Sequence, residues 1–117
     1  MKLGIVGSRT FNDYDFMVET IEQNLDVNKI TTIVSGGALG ADSLAAQFAE
    51  DYGLELEVYR PDWKEYGKAA GMIRNSDIVK ASDGIIAFWD GKSKGANDSI
   101  KKARKQEKLI AVARYDD

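Results

Sequence analysis

The segment Val34-Ser35-Gly36-Gly37-Ala38-Leu39-Gly40-Ala41-Asp42 follows an apolar β-type run and opens into a helical pattern. Such a turn gathers bare backbone amides and a helix N-terminus at one point, which favours an anion, phosphate first. Gly36, Gly37 and Gly40 allow a ligand close to the backbone, or equally serve a tight turn without one. Asp42 falls in the first helical turn, where it suits a ribose hydroxyl or plain capping. Ser8 and Arg9, just past another apolar run, offer a hydroxyl and a planar guanidinium matched to phosphate or carboxylate. Asp90-Gly91-Lys92-Ser93-Lys94-Gly95 reads as a second phosphate-cradling loop before the last helix. It is not a P-loop, because Ala96 stands where that spacing needs glycine. Trp63 and Trp89 also follow strand patterns and could stack on a base or line a rim.

What is missing narrows the chemistry further. The 117 residues contain neither cysteine nor histidine. Thiolate nucleophiles, disulfides, zinc–cysteine sites and every Ser-His-Asp or Cys-His device are therefore excluded. Acid–base work falls to carboxylates, Lys, Tyr or a metal-bound water. No metal site is expected and no cofactor is required, although Mg²⁺ accompanying a phosphate ligand is compatible with these residues. The net charge of −3 disfavours a nucleic-acid partner bound over a broad basic face. No apolar run reaches the length of a membrane span, and the N-terminus reads as a strand rather than a signal peptide. A cytoplasmic protein with no membrane partner is the expectation.

The elements that must position these residues alternate along the chain. Strand patterns cover 3–7, 31–35, 54–59, 84–88 and 109–113. Helical patterns cover 13–27, 40–52, 67–80, loosened near Gly71, and 96–107. Residues 60–63 read as a turn closing the third strand. Strands alternating with helices of this length predict a parallel sheet with right-handed crossovers. The fold class is α/β: a Rossmann-like three-layer α/β/α sandwich with a mostly parallel sheet of about five strands. The expected order is 3-2-1-4-5, with one domain spanning 1–117. All strand C-termini then share one edge, so residues 7–10, 35–38, 60–63 and 89–92 converge where such folds bind ligands.

Gly7-Ser8-Arg9-x-Phe11, Ser35-Gly36-Gly37-Ala38-x-Gly40-Ala41-Asp42, Ala70-Gly71-x-x-Arg74-Asn75 and Ala87-Phe88-Trp89-Asp90-Gly91-x-Ser93-x-Gly95 together resemble a known family. They look like the YspA/YpsA-related branch of the SLOG superfamily, which also includes DprA and the Lonely Guy phosphoribohydrolases. The resemblance implies a Rossmann-like domain that binds nucleotides or nucleotide-derived ligands, with both glycine-rich turns facing phosphate. It also makes a homodimer an expectation. In Lonely Guy enzymes an Arg on the helix before the second loop and a Glu just after that loop form the catalytic pair. Arg74 matches that Arg. Asp98 stands near the Glu but is shorter by a methylene, Ser99 replaces the second acid, and Ala96 replaces a threonine. The leading expectation is a binder or sensor of a nucleotide or nucleotide-derived small molecule. The alternatives are an N-glycosidic phosphoribohydrolase using Arg74 and Asp98, and a DprA-like binder of single-stranded DNA.

Overall fold

Near-continuous apolar runs become strands here because both faces of the sheet are covered. The computed structural model describes residues 1–115. Its strands are β1 (Lys2–Gly7), β2 (Thr32–Ser35), β3 (Glu55–Val58), β4 (Gly84–Trp89) and β5 (Leu109–Arg114). They form one five-stranded sheet of order β3-β2-β1-β4-β5. Every pairing is parallel, with Gly4 opposite Val34 on one side and Ile85 on the other. The expected class, order and parallel sense all hold.

The pleat divides the core in two. Leu3 and Ile5 of β1 point to the layer of α1 (Tyr14–Asn24) and α2 (Ala41–Asp51), against Met17, Ile21, Ala45 and Phe48. Val6 and its neighbours Val34, Ile85 and Ala87 point the other way. They meet Ile78 and Val79 of α4 (Ala70–Ala81) and Ile100 and Ala103 of α5 (Lys94–Lys105). The two helical layers carry opposite charge. Helix α1 holds Asp15, Glu19 and Glu22, and α2 holds Asp42, Glu50 and Asp51, neither with a cation. Helix α5 holds Lys94, Lys101, Lys102, Arg104 and Lys105 against the single acid Asp98.

Three boundaries differ from expectation, each for a local reason. Helix α1 stops at Asn24 rather than 27, because the Asp26 carboxylate takes the Asn28 N–H and starts a short 3-10 turn. Residues 63–66, expected within or beside a turn, form the one-turn helix α3 (Trp63–Tyr66), capped by Asp62 on the Glu65 N–H. The discontinuity expected near Gly71 lies earlier, at Gly67, whose φ of 56° ends α3. A 3-10 turn over Gly67–Ala69 then feeds α4. Among the described residues, no helix is long and apolar enough to cross a membrane.

Candidate functional site

Ser8 is the pin of the sheet's C-terminal edge. It is buried, its N–H donates to the Phe88 carbonyl, and its own carbonyl accepts from Phe11 and Ala41. Its Oγ accepts the Asp90 N–H at 3.2 Å. The turns after β1, β2 and β4 are thus joined through one small residue. Two glycines permit this closeness. A Cβ on Gly7 would collide with the Phe88 carbonyl, and one on Gly40, whose φ is 74°, would meet the carbonyls of Arg9 and Ser8. Internal packing is therefore enough to require glycine at position 40.

Two adjoining clefts open on this edge. The first, about 310 Å³, is lined by Gly7, Ser8, Arg9, Asp42, Arg74, Ser93 and Gly95 among the predicted residues, with Thr10, Asn75, Lys94 and Ser99 beside them. The second, about 350 Å³, lies against Gly36, Gly37 and Trp63, with Arg60 and Pro61. Arg9, Ala38 and Arg74 line both. Ser35, Gly40, Trp89, Asp90, Gly91 and Asp98 line neither.

The residues outside the clefts have visible structural work. Ser35 is fully buried beneath its turn. Asp90 accepts from the N–H groups of Lys92 and Ser93, both at 2.8 Å, which bends the loop and holds its carboxyl below the usual carboxylate range. Trp89 turns its indole N–H onto the Ser93 carbonyl at 3.0 Å, and Arg114 lies over its ring. Gly91, with φ 82°, makes room for that same Arg114. Trp63, by contrast, is 55% exposed and borders the second cleft, so the two tryptophans part company.

Arg74 is held in one orientation. Its Nε donates to Asn75 Oδ1 at 3.0 Å and its Nη1 to the Gly36 carbonyl at 2.8 Å. Burial and the nearby Arg9 charge pull its pKa down, while Asp42 pulls it up. Asp42 accepts the Ala38 N–H at 3.0 Å. Burial nevertheless raises its pKa, outweighing the Ala38 and Gly36 amides and the Arg74 charge. Asp98 lines neither cleft and accepts from Asn75 Nδ2 at 3.1 Å and from Lys102 Nζ at 2.9 Å. Asn75 is the residue to which the sequence reading gave no role. It is buried, supports Arg74, and also donates to the Gly95 carbonyl in the first turn of α5. Its position directly after Arg74 on a helix facing a glycine-rich turn was the available signal.

The sequence model of the YspA, cpYpsA-related SLOG family matches residues 1–66. Gene 61 protein of Mycobacterium phage D29 is 33% identical over 108 residues, covering 86% of each chain. This chain belongs to the YspA, cpYpsA-related SLOG family. Among solved structures, the SLOG chain resembles DNA processing protein A of Helicobacter pylori at a TM-score of 0.69 and 24% identity, over 95% of its own length. It resembles DNA processing protein A of Streptococcus pneumoniae at a TM-score of 0.72 and 22% identity, over 94% of its length. It spans 64% and 49% of those two chains, and at these identities the likeness is one of fold.

These neighbours overturn one expectation. Nucleic acid was disfavoured as a partner on net charge, yet the Helicobacter pylori protein, with this fold, has a single-stranded DNA binding mode. Net charge does not decide the partner, because it sums an acidic layer, α1 with α2, and a basic one, α5. What a polyanion meets is one face, not the sum.

Proposed function

We propose that this SLOG chain binds the phosphate of a nucleotide in the paired clefts, whether free, in a nucleotide-derived molecule or at the end of a nucleic-acid strand. The observation that carries the reading is that Arg9 and Arg74 line both clefts. A phosphate at their shared wall would meet two guanidinium groups, with Arg74 already fixed through Nε and Nη1 and its Nη2 left for a ligand oxygen. Lys94, Gly95 and Ala96 in the first turn of α5 line the first cleft and add helix-terminal amides. Trp63 would supply an apolar wall for a base or sugar in the second. Family membership and the fold neighbours support a nucleotide- or DNA-binding role. Binding rather than turnover is the reading, because Asp98, the carboxylate matched to Arg74 by resemblance, is engaged by Asn75 and Lys102 outside the clefts.

The test is a panel of AMP, ADP-ribose, NAD and cyclic dinucleotides, read by thermal shift and mass spectrometry on the same samples. A ligand at a hundredfold excess over its Kd stabilises by about 2.7 kcal/mol, and Arg74→Ala should remove the shift. Intact ligand is expected. Free base released by the wild type and not by Arg74→Ala would replace this reading with hydrolysis. No stabilisation by any phosphate would end it.

A further inference from the structure

Helix α4 brings three ligand-type features into sequence along its length. At its start the Trp63 ring lies near Gly71, 3.7 Å from where a Cβ would sit. Arg74 and Asn75 face the first cleft one turn later. At its end Lys80 borders a separate groove of about 260 Å³ between α4 and α5, lined also by Ser76, Asp77, Lys102, Gln106 and Lys108. From Gly71 to Lys80 a helix advances on the order of 14 Å. Two of the groove's three lysines are already engaged, and among the described residues Lys80 Nζ has no such partner. Lys108 Nζ covers the Val79 carbonyl at 2.9 Å, and Lys102 Nζ bridges the Met72 carbonyl at 2.6 Å and Asp98. Asp77 is the acid on its lining, and Lys101, Arg104 and Lys105 stand exposed on the same helix as Lys102.

The groove is also joined to the cleft through side chains. Asn75 lines the cleft and binds Asp98, and Asp98 pairs with Lys102, which lines the groove. We infer that the α4–α5 groove is a second phosphate-binding site, and that it carries the backbone of a single-stranded nucleic acid whose terminal phosphate occupies the Arg9–Arg74 cleft. This inference rests on the phosphate reading of the cleft. A free mononucleotide has no phosphate to place in the groove. A strand has one every few ångströms, and its bases can stack on an exposed aromatic such as Trp63. A duplex needs a broad basic face, whereas a narrow lysine-lined groove with one exposed tryptophan at the far end of the same helix suits a single strand.

The experiment compares AMP, by calorimetry, with 5′-phosphorylated oligodeoxynucleotides of two to twelve residues, by fluorescence anisotropy across a salt series. The protein is wild type, Arg74→Ala, or the double variant Lys80→Glu with Gln106→Glu. Lys80 and Gln106 are both exposed, so the double variant should keep the fold, checked by its melting curve. Affinity should rise at least tenfold from AMP to a six-residue strand. The double variant should lose that gain and keep AMP affinity, with the salt slope shallower by about 0.7 for each phosphate contact removed. Arg74→Ala should weaken both ligands. AMP binding with no gain from length, tighter binding of duplex, or equal displacement by poly-glutamate would overturn the strand proposal while leaving the cleft reading intact. Failure of every phosphate ligand would overturn both.

Discussion

The Arg74 guanidinium donates to the Gly36 carbonyl at 2.8 Å, tying helix α4 to the turn that leads into α2. With Nε on Asn75, the fork is aimed before any ligand arrives. Lysine keeps the charge but cannot make both bonds in that geometry. Arg74→Lys should therefore weaken nucleotide binding by roughly tenfold and Arg74→Ala by up to about a hundredfold, the range of a charge-assisted hydrogen bond. Calorimetric titration with the best ligand of the panel measures both. Equal affinity of Arg74→Lys and wild type would remove the fork from the account.

Asp42 works against an anion in the same cleft. Burial raises its carboxyl pKa, so the folded chain holds that proton more tightly than the unfolded one. Its contribution to stability is full below the ordinary carboxylate range and is lost as pH rises through the raised value. Asparagine keeps an acceptor for the Ala38 N–H without the charge. Asp42→Asn should bind phosphate about fivefold more tightly at neutral pH, on the order of 1 kcal/mol for one like charge removed. The wild type should approach the variant's affinity as pH falls towards the carboxylate range. Parallel titrations of the two proteins across pH cancel the ligand's own protonation. A constant ratio would show that Asp42 does not face the bound anion.

The sheet was legible because its causes are local. Apolar runs of strand length alternate with helical periodicity, and parallel crossovers leave few orders to choose from. Convergence of the turns at one edge followed from that topology alone. Which side chains then turn into the clefts did not follow. Trp63 and Trp89 both read as following strands, yet one opens α3 and is exposed at a cleft while the other ends β4 and hands its N–H to Ser93. Gly40 reads as a ligand glycine until the neighbouring loop is in place and the Arg9 carbonyl fills the space. Net charge hid the opposed helical layers, since a sum carries no direction.

Trp63 offers a test that leaves the fold alone. The ring is 55% exposed, so Trp63→Ala should cost no more than about 2 kcal/mol of stability, the value of its buried part. If a base stacks on it, ligands with a base should lose about 1–3 kcal/mol, from severalfold to over a hundredfold in Kd. Ribose 5-phosphate, which has no base, should bind unchanged. Equal losses for both ligands would mean that Trp63 shapes the cleft rather than touching the base.

Two glycines in the glycine-rich turns should answer in opposite directions to the same substitution. At Gly40 the backbone has φ 74°, and a methyl group would meet the carbonyls of Arg9 and Ser8, which cannot move without unpinning Ser8. Gly40→Ala should cost more than about 2 kcal/mol, from left-handed strain together with the clash. At Gly95, in the first turn of α5, nothing lies within 4 Å of the same methyl group. Gly95→Ala should stabilise by about 0.4–1 kcal/mol, because the unfolded chain loses freedom and the folded one gives up no contact. Denaturant unfolding separates the two. The ligand then gives the decisive reading on the stable variant. Gly95 lines the cleft, so a phosphate resting on the α5 amides would be pushed away by the added methyl, and affinity should fall while stability rises. A stabilised Gly95→Ala that binds as tightly as wild type would place the phosphate against Arg9 and Arg74 alone.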